Sequence, residues 1–142
     1  MGVAPRRLLF EVTETSVIAD VVDARHFIDS LHKTGCRVCL DDFGTGFSSL
    51  VYLKHLDFDI VKIDATFIRS MARDPVSHVI VRAVVLMARE LEKQVVAEGV
   101  EDRRTLEMLS QIGTQFVQGY LFDRPCADHP ALQGAQEAIR PS

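Results

Sequence analysis

The chain has 142 residues, of which 47% are hydrophobic and 25% charged, and its formal net charge is -4 with both signs interspersed. That length suits one domain with a core and excludes two comfortable ones, and the charge balance argues against a binder of duplex nucleic acid. No apolar run approaches the roughly 18 residues of a membrane span, because Arg82 interrupts the longest, Val79 to Ala88, and the short strand-like run after Arg6 and Arg7 lacks a signal-peptide pattern; a cytoplasmic location is expected.

The first apolar run, Leu8 to Val12, reads as a strand. Ala24, Phe27, Ile28 and Leu31 then repeat at helical spacing, and Gly35 follows where a left-handed cap would sit. Arg37 to Leu40 is a second strand, Ser48 to Leu56 a short helix, and Ile60 to Ile63 a third strand. Asp74 and Pro75 read as N-cap and first residue of a long helix, with an apolar stripe of Val79, Ile80, Ala83, Val84, Met87 and Leu91. Val95 to Ala97 is the fourth strand. Asp102 opens a helix with Leu106 and Leu109 on one face and Gly113 at its close, and Phe116 to Val117 is the fifth strand. After Pro125 the composition loosens, so residues 126–142 are expected to form a peripheral tail around a core of about 8–125.

Strand runs that are apolar on successive positions suit parallel strands buried on both faces. Alternation with helices predicts an α/β fold of about five βα units. The cysteine count is odd, three, which argues against a disulfide scaffold. Cys36 and Cys39 form a C-x-x-C inside a strand-like run, where they point to opposite faces and cannot converge on a metal.

The informative residues are polar and sit at strand ends. Glu11 lies in the first run, Asp41 and Asp42 terminate the second, and Lys62 and Asp64 lie in the third. Glu98 ends the fourth and Gln118 the fifth. Charges are expensive in a buried sheet unless paired or metal-bound, and functional groups at the C-terminal ends of parallel strands are the layout of an α/β active site, above all a TIM barrel. Carboxylates, an amide and a lysine without histidine make an all-oxygen site suited to Mg²⁺ or Mn²⁺. Adjacent aspartates can serve two ions, as phosphoryl chemistry requires; alternatively, one of them caps the turn into Gly44-Thr45-Gly46. The five histidines read as surface or satisfied residues.

These motifs resemble the EAL-domain cyclic di-GMP phosphodiesterases. Glu11-Val-Thr-Glu14, Asp41-Asp42-Phe-Gly-Thr-Gly-Phe-Ser-Ser-Leu50, Lys62-Ile-Asp64, Ala97-Glu-Gly-Val-Glu101 and Gln118-Gly-Tyr-Leu-Phe122 occur in that family's order and spacing, from about Leu8 to Pro125. The resemblance implies a (β/α)8-type barrel of a bacterial signal-transduction hydrolase, turning cyclic di-GMP into pGpG with two Mg²⁺ or Mn²⁺ ions. It implies that Glu11 binds the first metal, Asp41 bridges both, Asp42 serves the second, and Glu98 binds metal or assists proton transfer. Lys62 would hold the attacking water, and Gln118 would order the water network. Glu14 and the loop Phe43, Gly44, Thr45, Gly46, Phe47 and Ser48 would couple the site to dimerisation and substrate.

The family's Glu-Ala-Leu signature and an asparagine ligand should precede Glu11, where only ten residues stand. By the family plan the sequence starts at about the fourth of eight strands, whereas a closed TIM barrel takes roughly 250 residues. The expectation is therefore a single partial EAL domain over 1–142, weak or inactive alone, that self-associates or pairs with a completing polypeptide. A non-catalytic module that binds cyclic di-GMP or a protein is the alternative function. A flavodoxin-like receiver is the alternative fold.

Overall fold

Thr13 caps the first α-helix, and aspartates cap the four that follow it. In the computed structural model, which describes residues 2–45 and 54–122, Asp20, Asp64, Asp74 and Asp102 each accept a backbone N–H from the first turn of the helix that follows, satisfying donors that a helix start leaves without partners. The helices are α1 (Glu14–Ala19), α2 (Val21–Lys33), α3 (Ala65–Ser70), α4 (Pro75–Glu90) and α5 (Arg103–Ile112). Gly113, at φ 90°, closes α5 in the left-handed region that glycine enters freely.

The strands are β1 (Leu9–Thr13), β2 (Arg37–Phe43), β3 (Ile60–Ile63), β4 (Gln94–Glu98) and β5 (Phe116–Gln118). All neighbours are parallel, and their spatial order is their chain order, β1-β2-β3-β4-β5. A receiver-type sheet reverses direction at a switch point; this one does not, which removes that alternative. A sheet that adds each new strand on the same side is an arc of a barrel wall.

Alternation along the strands divides the chemistry between the two faces. Val38, Leu40, Val61, Ile63, Val95 and Ala97 join one apolar core with Ile28 of α2, Ile68 of α3, Val81, Val84 and Val85 of α4, and Leu109 of α5. The opposite, concave face carries Glu11, Cys39, Lys62 and Glu98. Burial on both faces, expected for every strand, holds for β3, whose four residues are all buried. It fails at the edges: Leu9 is 45% and Phe116 48% exposed, because β1 and β5 each have one neighbour among the described residues.

Several local expectations need correction. Residues 46–53 and 123–142 lie outside the described residues, and with them Gly46, Phe47, Ser48, Cys126, the tail and most of the helix expected over Ser48–Leu56; Lys54 and His55 form a turn. Helices α1 and α3, six residues each, were not expected; they are too short to show a period. Asp64 follows β3 rather than lying in it, and Asp41 and Asp42 lie within β2 rather than after it. In α4 the buried set is Ser77, Val81, Val84, Val85 and Ala88, whereas Val79 and Leu91 of the expected stripe are 64% and 46% exposed. The helix is apolar around most of its circumference, so period alone does not choose the face that meets the sheet.

Candidate active site

Adjacent residues on a regular strand point to opposite faces, so Asp41 and Asp42 would be separated by the sheet if β2 continued undisturbed. It does not. The β2–β3 register shifts between Leu40 and Phe43, and Asp42 adopts φ 57°, a conformation aspartate tolerates better than most residues. The Asp41 carboxylate accepts the N–H of Asp42 at 2.8 Å, and Thr45 donates its hydroxyl to the Asp42 carbonyl at 2.8 Å. The result is that Asp41, Asp42 and Glu98 each present an oxygen within 4.8 Å of the others. Burial, and then the charges of Asp41 and Asp64, push the Asp42 carboxyl above the ordinary aspartate range.

Lys62 rises from β3 into this group. Its Nζ donates to Glu11 at 2.9 Å and to Glu98 at 2.8 Å, and lies 3.8 Å from Asp41. The lysine side chain is 11% exposed, yet its three partners leave it far from unpaired. Burial alone would lower its pKa; the hydrogen bonds to Glu98 and Glu11 overcome that and hold it above the usual lysine value. Beneath them on the same face, burial pushes the Cys39 thiol up to about 12, so it stays protonated and unreactive. Cys36 and Cys39 are both free thiols.

Of the expected site residues, the structure thus brings together Glu11, Asp41, Asp42, Lys62 and Glu98. Gln118 stands opposite Glu98 in the β4–β5 register, on the exposed edge strand. Glu14 is fully buried, and its carboxylate accepts the Gly44 N–H at 3.0 Å, tying α1 to the segment that leaves β2. Sequence reasoning counted Asp64 among the polar strand-end residues without giving it a specific task, and gave none to Glu101. Asp64 caps α3 and adds its charge beside Asp42. Glu101 accepts from Arg69 of α3 at 2.8 Å, which fastens the loop after Glu98. The only sequence signal for Glu101 was its place inside a quoted motif.

That loop is also held by close backbone approach. Gly99 sits at φ 79°, and a Cβ there would lie 2.6 Å from the Ala65 Cβ. A Cβ on Gly119 would collide with the Val100 backbone, whose N–H already donates to the Gln118 carbonyl. Gly99→Ala is therefore expected to destabilise the fold by about 2 kcal/mol, from left-handed strain plus overpacking. A denaturation midpoint equal to the parent's would show that α3 yields freely.

The family model described as the EAL domain matches residues 1–125. The chain belongs to the EAL domain family. The probable cyclic di-GMP phosphodiesterase PdeA of Escherichia coli (strain K12) is 36% identical to this EAL chain over 123 residues, which are 87% of this chain and 17% of that protein. A c-di-GMP complex of the PaMucR phosphodiesterase superposes with a TM-score of 0.85 at 40% identity, covering 92% of this chain and 52% of that one. A manganese and cyclic di-GMP complex of Klebsiella pneumoniae BlrP1 superposes with a TM-score of 0.83 at 38% identity, covering 88% and 32% respectively. This EAL chain thus spans 17% of the length of that curated relative and about half of the PaMucR structure. Its five-stranded parallel sheet is the corresponding arc of a TIM-barrel-type EAL fold.

Proposed function

We propose that residues 1–142 form a single partial EAL domain that supplies the C-terminal half of the active site of a phosphodiesterase hydrolysing cyclic di-GMP to pGpG. The observation that carries this reading is the convergence of Lys62 with Glu11, Asp41 and Glu98 at one rim of the parallel sheet, with Asp42 turned into the same group. The donors are all oxygens, which fits Mg²⁺ or Mn²⁺ and disfavours zinc. Glu11, Asp41, Asp42 and Glu98 would hold two such ions, with Asp41 shared. Bound there, they would neutralise phosphate charge and acidify a water.

In this reading the chain's own groups position and move protons. Lys62, fixed by two carboxylates, donates a hydrogen bond that orients the attacking water toward phosphorus. Glu98 accepts the water's proton, and Gln118 orders the neighbouring solvent. Glu14 and the segment Phe43, Gly44 and Thr45 support the Asp41–Asp42 pair from behind; the substrate role that the family resemblance implies for Gly46, Phe47 and Ser48 falls outside the described residues.

Among the described residues both sheet edges are unpaired, and with exposed Leu8, Leu9, Phe10 and Phe116 they favour association with another polypeptide or a second copy. Joined to an EAL N-terminal half that supplies the remaining strands, the chain is expected to convert cyclic di-GMP to pGpG in Mn²⁺ and to lose that activity to a chelator. Without the added half it is expected to sediment as an oligomer. Tight cyclic di-GMP binding with no turnover in the completed protein would favour the non-catalytic module instead.

A further inference from the structure

Away from the concave face, α4 and α5 enclose a groove of about 590 Å³ on the outer surface. Val79, Arg82, Leu86 and Arg89 of α4 form one wall, and Met108 and Ile112 of α5 form the other. The α4 positions recur every three or four residues and so make a single stripe along the helix. Val79 and Leu86 are 64% and 56% exposed.

Among the described residues, the charges beside this apolar stripe lack counter-ions. Arg82 forms no ion pair among the described residues, and Arg89 donates Nη2 only to the Ile112 carbonyl, at 3.2 Å. Among the described residues no aspartate or glutamate lines the groove, in a chain whose net charge is -4. A partner that buries Val79 and Leu86 must also desolvate the flanking guanidinium groups, which is favourable only if it brings carboxylates to them. Leu86 lies one turn from each arginine, so the acceptors must flank an apolar anchor at helical spacing.

We infer that this groove docks an acidic amphipathic helix of a partner protein. Its apolar side chains rest on Val79, Leu86 and Met108, and its carboxylates pair with Arg82 and Arg89. The stripe from Val79 to Arg89 is roughly 15 Å long, which takes about three helical turns. The chain's own described helices match poorly: α2 exposes Val22 and Phe27 but carries Arg25 and Lys33 beside Asp23 and Asp29.

The test is fluorescence anisotropy on the whole chain, using a labelled helical peptide with leucines at three- and four-residue spacing and glutamates elsewhere. Its twin carries lysines in place of the glutamates. The glutamate peptide is expected to bind at least about tenfold more tightly, and Arg82→Glu or Leu86→Ser should each weaken it by about tenfold. Both positions are exposed, so thermal melts of the variants should match the parent. Equal binding of the two peptides, or no effect of either variant, overturns the inference. So does self-association that Leu86→Ser abolishes, which would assign the groove to a second copy, or binding that appears only after removal of 123–142, which would assign it to the chain's own tail. None of these outcomes depends on whether the chain hydrolyses cyclic di-GMP.

Discussion

Residues 1–142 expressed alone are expected to form pGpG at least about a thousandfold more slowly than the same residues in a completed EAL barrel, because positioning supplies most of what such a site contributes. The deficit lies at the β1 edge. Glu11 is 48% exposed and is held, among the described residues, by Lys62, and the strand that would flank it on its other side is not among β1 to β5. Of the carboxylates proposed for the first cation, only Glu11 and Asp41 come from this chain. With so few carboxylates to hold a cation, Lys62 and Glu98 would be left to orient the attacking water without its help. The measurement is chromatographic separation of pGpG from cyclic di-GMP over hours in Mn²⁺. Robust turnover by the isolated chain would reveal a ligand on these residues that the present assignment lacks.

Asp41→Asn is expected to remove activity from the completed protein by a similar factor of about a thousand, and to weaken Mn²⁺ binding in parallel. The substitution is informative because it separates charge from shape. The asparagine carbonyl can still accept the Asp42 N–H that Asp41 accepts at 2.8 Å, so the turn at Asp42 should persist. What disappears is the anionic oxygen that would be shared between two cations, together with one of the three negative neighbours of Lys62. Electron paramagnetic resonance of Mn²⁺ reads occupancy directly, and a thermal melt checks the fold. Retained Mn²⁺ binding with full activity would remove Asp41 from the bridging role.

The five strands were legible because each contains a short apolar run with a polar residue in it or close by, and a parallel sheet leaves few other places for such runs. The lysine and carboxylates were legible for the same reason: a charge at the end of a buried strand needs a partner, and Lys62, Glu11 and Glu98 are one another's. The turn at Asp42 was not legible in that way. Alternation would have sent Asp41 and Asp42 apart, and only the three-dimensional register shift between Leu40 and Phe43 brings both carboxylates to one side. The anchor of that turn, Glu14 on the Gly44 N–H, spans thirty residues of chain and two elements, which no local pattern encodes. The face of α4 was hidden because valines surround it; the packing of α3 and the sheet decides which of them are buried.

The ion pairs of Lys62 bear on the order in which the molecule assembles. A cluster of bare carboxylates repels itself and would make folding wait for cations, as in small domains that unfold when stripped of metal. Here one ammonium group, within 4 Å of three carboxylates, already offsets much of that repulsion from inside the protein. The rim can therefore take shape first and be loaded afterwards. Metal supply would then act as a switch on chemistry while leaving the scaffold intact.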